Sequence, residues 1–151
     1  MNLAPDFDEF IASLIAHDVE FVIVGAYALA YHGAPRFTGD LDIYIRPTLD
    51  NASRLLDAVR AFGFPVAELR PEHVTDSRRI LQMGEEPVQI RVMSAISGVT
   101  WDQAWHDRAM GPCGSHQVDF LGRETFLRNK RAAARPKDLA DIDALTPPET
   151  R

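Results

Sequence analysis

The stretch from Phe21 to Ile45 constrains this chain more than any other. Phe21-Val-Ile-Val24 is apolar throughout and either β-branched or aromatic, the pattern of a buried strand. Gly25 ends it, and the alanine-rich segment from Ala26 to Tyr31 predicts a short helix closed by Gly33 and Pro35. Leu41, Ile43 and Ile45 then alternate with Asp40, Asp42 and Tyr44, the period of a half-buried strand. A strand–glycine–helix junction presents backbone N–H groups and a positive dipole end to a phosphate, and glycine lets the backbone approach closely. Two carboxylates separated by one residue on a strand share a face, with Cα atoms about 6.5–7 Å apart. That spacing lets both lean toward one divalent cation. Taken alone, a D-x-D pair reads equally as two surface acids on an edge strand. The junction fifteen residues upstream changes its context, because it sets a phosphate cradle beside the two acids.

The rest of the chain supplies helices and further strands. Asp6 with Glu9 predicts a capped first helix, whose Phe7, Phe10, Ile11, Leu14 and Ile15 make one apolar stripe. Asp50 is the predicted cap of a second long helix with Ala52, Leu55, Leu56, Val59 and Phe62 inward and Gly63 as its stop. Arg79 to Met83 and Val88 to Met93 read as two strands around a turn at 84–87. Thr100 begins a short helix through Trp101 and Trp105, and His116 to Leu121 is the last expected strand. Glu124 to Ala134 and Lys137 to Leu145 are expected helices parted by Pro136. A length of 151 residues suits one domain: an N-terminal helix over 1–18, an α/β core over 19–121 and C-terminal helices over 122–147.

Composition narrows the function classes. Net charge is −6 and the pI about 5.3, against a broad DNA footprint. A single cysteine, Cys113, excludes a disulfide framework and fits a reducing, cytoplasmic setting. No apolar run approaches the roughly 18 residues of a membrane span, and the acids of the N-terminus are wrong for export. The charge is uneven, however. Residues 123–137 carry Arg123, Arg128, Lys130, Arg131, Arg135 and Lys137 against Glu124 alone, a net +5 that includes both lysines of the chain. A solvated helix face and a phosphate-facing patch both account for that window.

Three segments together resemble a known family: the run from Val24 to Asp42, Ile96-Ser-Gly-Val-Thr-Trp-Asp-Gln-Ala-Trp105, and the run from Phe126 to Leu145. They look like the signature of small bacterial DNA polymerase β-type nucleotidyltransferases, the last being similar to the toxin-type (abortive-infection) branch. The resemblance implies a nucleotidyltransferase fold: a central mixed β-sheet flanked by helices, with a C-terminal helical pair. It implies that Gly25 and the amide of Ala26 hold nucleotide phosphates. It assigns magnesium and the triphosphate to Asp40 and Asp42, the expected catalytic pair. Lys130, Lys137 and Asp138 fall at the distal charged motif, and Arg36 and Thr38 lie in the loop before the acids, where they reach substrate or, for Arg36, serve a structural role. The implied reaction transfers a nucleoside monophosphate to an RNA, protein or small-molecule acceptor, with pyrophosphate leaving. A toxin–antitoxin or phage-defence setting, with a cognate antitoxin as partner, is the corresponding biological expectation.

Two positions depart from the family pattern. Ala26 replaces the usual Gly or Ser and keeps its backbone N–H. Arg91 stands where the family places a third carboxylate, in Val88-Gln-Ile-Arg-Val-Met93. By period 2, Gln89, Arg91 and Met93 share one face while Val88, Ile90 and Val92 point to the core. Glu86 has the wrong parity, Glu85 is too far along the strand, and Asp119 is the remaining candidate for a replacement acid. A guanidinium about 4 Å from a carboxylate attracts it by about 4 kcal/mol at an effective dielectric near 20. Arg91 is therefore expected to pair with Asp40 or Asp42 and weaken the metal site. The competing expectation turns it outward.

Two function classes follow: a nucleotidyltransferase that uses a nucleoside triphosphate and Mg²⁺, and a catalytically impaired nucleotide-binding or regulatory module. A third reading makes the C-terminal basic helices an RNA-docking surface. The histidines at 17, 32, 73, 106 and 116 lack ligand spacing. Trp101 and Trp105 read as core anchors rather than a base-stacking platform. Cys113 sits in an expected loop without an adjacent base, and residues 68–79 form either a cleft wall or a solvated segment.

Overall fold

The computed structural model describes residues 3–146. The first helix, α1, spans Pro5–Ala16 and buries Phe7, Phe10, Ile11 and Leu14. Its N-cap is Ala4, with no side-chain cap bond, so the expected Asp6 cap is corrected. Pro5 already has the fixed φ of a first helical residue and starts the helix ahead of Asp6. Strand β1, Phe21–Val24, is buried at all four positions. Helix α2, Gly25–Tyr31, follows without a linker, and β2, Asp40–Ile45, carries the two acids.

Helix α3, Leu49–Phe62, is capped by the Thr48 side chain, which accepts from Asn51 N, and not by Asp50. The cap lies one residue before the start of the helix, and Asp50 is already inside the first turn. Gly63, with φ +104°, ends it as expected. Segment 68–79 contains the short helix α4, Pro71–Val74. Strand β3, Ile80–Glu85, runs two residues past the expected end and tightens the turn to β4, Val88–Met93. Helix α5, Trp101–Asp107, begins with a capping box between Thr100 and Gln103.

A strand absent from the sequence expectation follows. Ala109–Cys113 forms β5, antiparallel to β6, His116–Phe120, so the predicted loop around Cys113 is corrected. Gly111 and Pro112 hid it, because both read as turn residues. Strand β5 is an edge strand, where a proline costs no ladder bond on its free side. Helices α6, Arg123–Ala133, and α7, Pro136–Leu145, are the last described elements and pack on each other.

The six strands form one mixed sheet in the order β3-β4-β2-β1-β6-β5. Strand β2 runs antiparallel to β1 and parallel to β4, and β1 runs parallel to β6. Leu41, Ile43 and Ile45 are fully buried in the core with Ile23, Phe10, Leu14 and Leu55. The face of β2 that carries the acids is polar only at its start. Tyr44, expected outward, is buried edge-on against Trp101 at 5.2 Å between ring centroids, and burial pushes its hydroxyl pKa up to about 12. Val88, expected inward, is 43% exposed because the strand enters the sheet from the hairpin tip.

Candidate functional site

Register brings the site together. Val24 of β1 lies opposite Asp42 of β2, Asp42 lies opposite Arg91 of β4, and Arg91 lies opposite Gln82 of β3. Residues in direct register project to one face of a sheet. Val24, Asp42 and Arg91 therefore stand in one row, with Gly25 at its end. Gly25 has φ +68°, a conformation that L side chains rarely adopt. A Cβ there would lie 2.5 Å from Asp42 Oδ2, so the glycine makes room for the carboxylate as well as for the turn into α2. Gly39 has a parallel role, since a Cβ on it would meet the Pro87 carbonyl oxygen at 1.4 Å. The β3–β4 hairpin is thereby pressed against the residue that precedes the acids.

Arg91 turns inward. Its Nε donates to Asp42 Oδ1 at 2.8 Å and its Nη2 to Asp42 Oδ2 at 3.1 Å, a two-pronged pair. Nη2 also lies 3.7 Å from Asp40 Oδ2. The pair is partly shielded, with side-chain exposures of 29% for Arg91 and 13% for Asp42. The hydrogen bonds that Arg91 donates to Asp42 raise its pKa above the ordinary value despite the opposing effect of burial, and the charges of Asp42, Asp40 and Glu86 add to it. Asp40 is held differently. Its backbone N–H donates to Thr38 Oγ1 at 3.0 Å, and its Oδ1 is buried with no hydrogen-bond partner among the described residues.

A cleft of about 500 Å³ opens over this row. Gly25, Asp42, Arg91, Ser97, Asn129, Lys130 and Arg135 are among its lining residues, and Ser77 and Ile80 bring in the segment after α4. The structure thus gathers Gly25, Asp42, Arg91 and Lys130 from the expected set, with Asp40 adjoining through Arg91. Ala26 follows Gly25 in the first turn of α2 and is buried.

Other expected residues stand apart from the lining. Lys137 is exposed on α7, and Asp138 lies buried beneath the cleft. Lys130 Nζ lies 3.2 Å from both Asp138 Oδ1 and Asp141 Oδ2. Arg135 Nε donates to Asp138 Oδ2 at 2.7 Å, and Arg36 Nε to Asp141 Oδ1 at 3.2 Å. Arg36 is therefore a tie between the loop before β2 and α7, while Thr38 braces Asp40. Burial resists the charge of Asp138, but hydrogen bonds from Arg135 and Lys130 outweigh it and hold its pKa down to about 2. The basic window divides accordingly: Lys130 and Arg135 line the cleft against these acids, and Arg128, Arg131 and Lys137 are exposed.

Arg135, Asn129, Ser97 and Asp141 were not singled out in the sequence as site residues. The signal available for Asp141 was its spacing of three from Asp138, which puts both carboxylates on one helical face. Asp119 does not replace a third acid. It sits on β6, pairs with Arg108 at 3.5 Å, and lines a different hollow between α1 and the β5–β6 hairpin. Cys113 is buried on β5 with its pKa pushed up to about 11 by burial and then by Asp8, the reverse of an activated nucleophile. Trp101 is buried and stacks on Trp105 at 5.3 Å, and neither lines the cleft. His17 and His32 bond to backbone carbonyl oxygens, at Ser13 and Leu121.

The donor set does not match the magnesium site that the resemblance implies. Both oxygens of Asp42 are taken by Arg91, and Asp40 offers one unpartnered oxygen. Among the described residues no group of three His, Cys, Asp or Glu side chains is placed to hold a metal ion.

No protein-family model matches the chain, and no curated protein matches it in sequence. Solved structures do match in shape. The lincosamide antibiotic adenylyltransferase LnuA, in its lincomycin-bound form, superposes with a TM-score of 0.61 at 11% identity, over 96% of this chain and 98% of its own. TM1012 of Thermotoga maritima, provisionally named a nucleotidyltransferase, superposes with a TM-score of 0.55 at 13% identity, over 92% and 87%. Identities this low carry architecture and nothing finer, and they do not single out the toxin-type branch. With its six-stranded mixed sheet and flanking helices, the chain has the nucleotidyltransferase fold.

Proposed function

We propose that this protein takes the polyphosphate of a nucleoside triphosphate into the cleft over Gly25, Asp42 and Arg91, and that nucleotidyl transfer there is curtailed. The observation that carries the reading is the two-pronged Arg91–Asp42 pair, which engages both oxygens of a carboxylate the transfer chemistry would need free. The Gly25 junction, with the Ala26 amide behind it, provides the backbone approach for phosphate. Arg91 and Arg135 provide cationic donors around the same space, while the Lys130 ammonium is held by Asp138 and Asp141. Lys137 lies away from the lining and takes no part.

A second reading, an active nucleotidyltransferase, is favoured by Asp40. Its Oδ1, buried and unpartnered among the described residues, is the carboxylate oxygen that would take the proton of an acceptor hydroxyl once ligand entry uncovers it, while the hydroxyl oxygen attacks the α-phosphorus and pyrophosphate departs. LnuA is named for adenylyl transfer to an antibiotic, and a small-molecule acceptor is the matching proposal for this chain. RNA or protein acceptors, an antitoxin partner and a toxin–antitoxin setting rest on the sequence resemblance.

Incubation of the full chain with each α-labelled nucleoside triphosphate and cell extract separates the two. The first reading expects nucleotide binding by equilibrium dialysis with no label moved to any acceptor. Label transfer that disappears in Asp40→Asn and Asp42→Ala establishes the second. No binding of any nucleotide removes both.

A further inference from the structure

The Asp42–Arg91 row has a charge property that any ligand must meet. An aspartate with a divalent cation bound to it carries a net +1, and so does one guanidinium. At one position of β4, Arg91 thus supplies the charge that a third carboxylate and its metal ion would supply together. Ion pairs join Asp40, Asp42, Asp138 and Asp141 to Arg36, Arg91, Lys130 and Arg135, and the charge of Glu86 also acts on Arg91. Arg91→Asp would lower the charge of this group by two, which a single divalent ion restores.

Geometry agrees with the charge count. Arg91 lies against both oxygens of Asp42, at 2.8 and 3.1 Å, and reaches toward Asp40 at 3.7 Å, so it occupies the place that a cation shared by the two carboxylates would take. The fork on Asp42 uses two of the five guanidinium N–H donors. The others can meet phosphate oxygens in the cleft that Arg91 lines, and a planar guanidinium suits phosphate as well as carboxylate.

We propose that Arg91 is a resident substitute for a divalent cation: the cleft binds nucleotide polyphosphate without metal, and the single change Arg91→Asp turns it into a divalent-cation site. The polyphosphate half rests on the function proposed above, whereas the metal half does not.

The test titrates Mn²⁺ into the full-length wild type, R91D and R91Q without nucleotide, following free Mn²⁺ by electron paramagnetic resonance. The expected result is Mn²⁺ binding by R91D at least about tenfold tighter than by the wild type or R91Q, a difference of about 1.4 kcal/mol. Equal affinity of the wild type and folded R91D overturns the proposal. If R91D is unfolded without metal, a melting transition that returns with Mn²⁺ supports it, and one that does not return overturns it. In parallel, ATP binding is measured in EDTA and in Mg²⁺. Wild-type affinity should be the same in both, while R91D should require Mg²⁺. Wild-type ATP binding that requires Mg²⁺ overturns the metal-free half and leaves the proposed function standing. If neither protein binds ATP under either condition, the proposed function and the polyphosphate half fall together, and the Mn²⁺ titration still decides the metal half.

Discussion

Arg91 and Lys130 each face two aspartates, 3.7 and 2.8 Å away for Arg91 and 3.2 Å for both partners of Lys130. The difference between them is depth and shape. Lys130 is 6% exposed and its partners are 0% and 4% exposed, so three ionised groups share an interior site. A lysine there is a point charge that two carboxylates of α7 can approach from different directions. Removing one member of such a group leaves unpaired charge in a poorly solvated place, which is far costlier than losing an exposed pair. Arg91 lines the cleft with 29% of its side chain exposed, keeps donors in reserve and uses its flat fork to hold one carboxylate. One cluster joins α6 to α7, and the other is placed where a ligand arrives.

That contrast is open to attack by substitution. Lys130→Met keeps the bulk of the side chain and deletes the charge, and urea unfolding should show a loss of about 3–5 kcal/mol. A loss below about 1 kcal/mol would make the two clusters equivalent and remove the distinction drawn from burial. Acid probes the same cluster. The depressed pKa of Asp138 contributes stability fully present above its ordinary value of 3.8 and lost as the pH falls from there through about 2. Stepped unfolding measurements across that window should show a slope that flattens in Asp138→Asn.

Gly25→Ala comes next. It forces an alanine into a left-handed conformation, worth about 1–2 kcal/mol, and its methyl group must displace the Asp42 carboxylate. Stability should fall by that amount, with nucleotide affinity lowered as the Arg91 fork is disturbed. Arg91→Ala is expected to cost least in stability, about 1 kcal/mol, because its pair, at 29% and 13% exposure, is better solvated than the Lys130 cluster. Nucleotide affinity should nevertheless fall about tenfold or more. The inverse outcome, a large stability loss with affinity intact, would assign Arg91 to the scaffold.

Much of the fold was legible because it is written in local periodicity. The four apolar residues of β1 and the alternation of β2 needed no long-range information, and the resemblance that ties them together was carried by the same residues. The inward turn of Arg91 was legible as one of two alternatives, since strand period 2 fixes its face but not its partner. What escaped depends on tertiary contacts. Strand β5 is built from Gly111 and Pro112, which an edge position tolerates and a local reading takes for a turn. The burial of Lys130 needed knowledge that α7 folds back on α6 to present Asp138 and Asp141. Tyr44 looked solvent-facing because the position of Trp101 over it is not a local property.

The most direct measurement is a crystal structure of the full chain grown with ATP and excess Mg²⁺. The account predicts Arg91 still forked on Asp42, with phosphate oxygens within hydrogen-bond distance of its remaining donors and no metal ion between Asp40 and Asp42. A magnesium ion bridging those two carboxylates, with Arg91 swung out of the cleft, would contradict it.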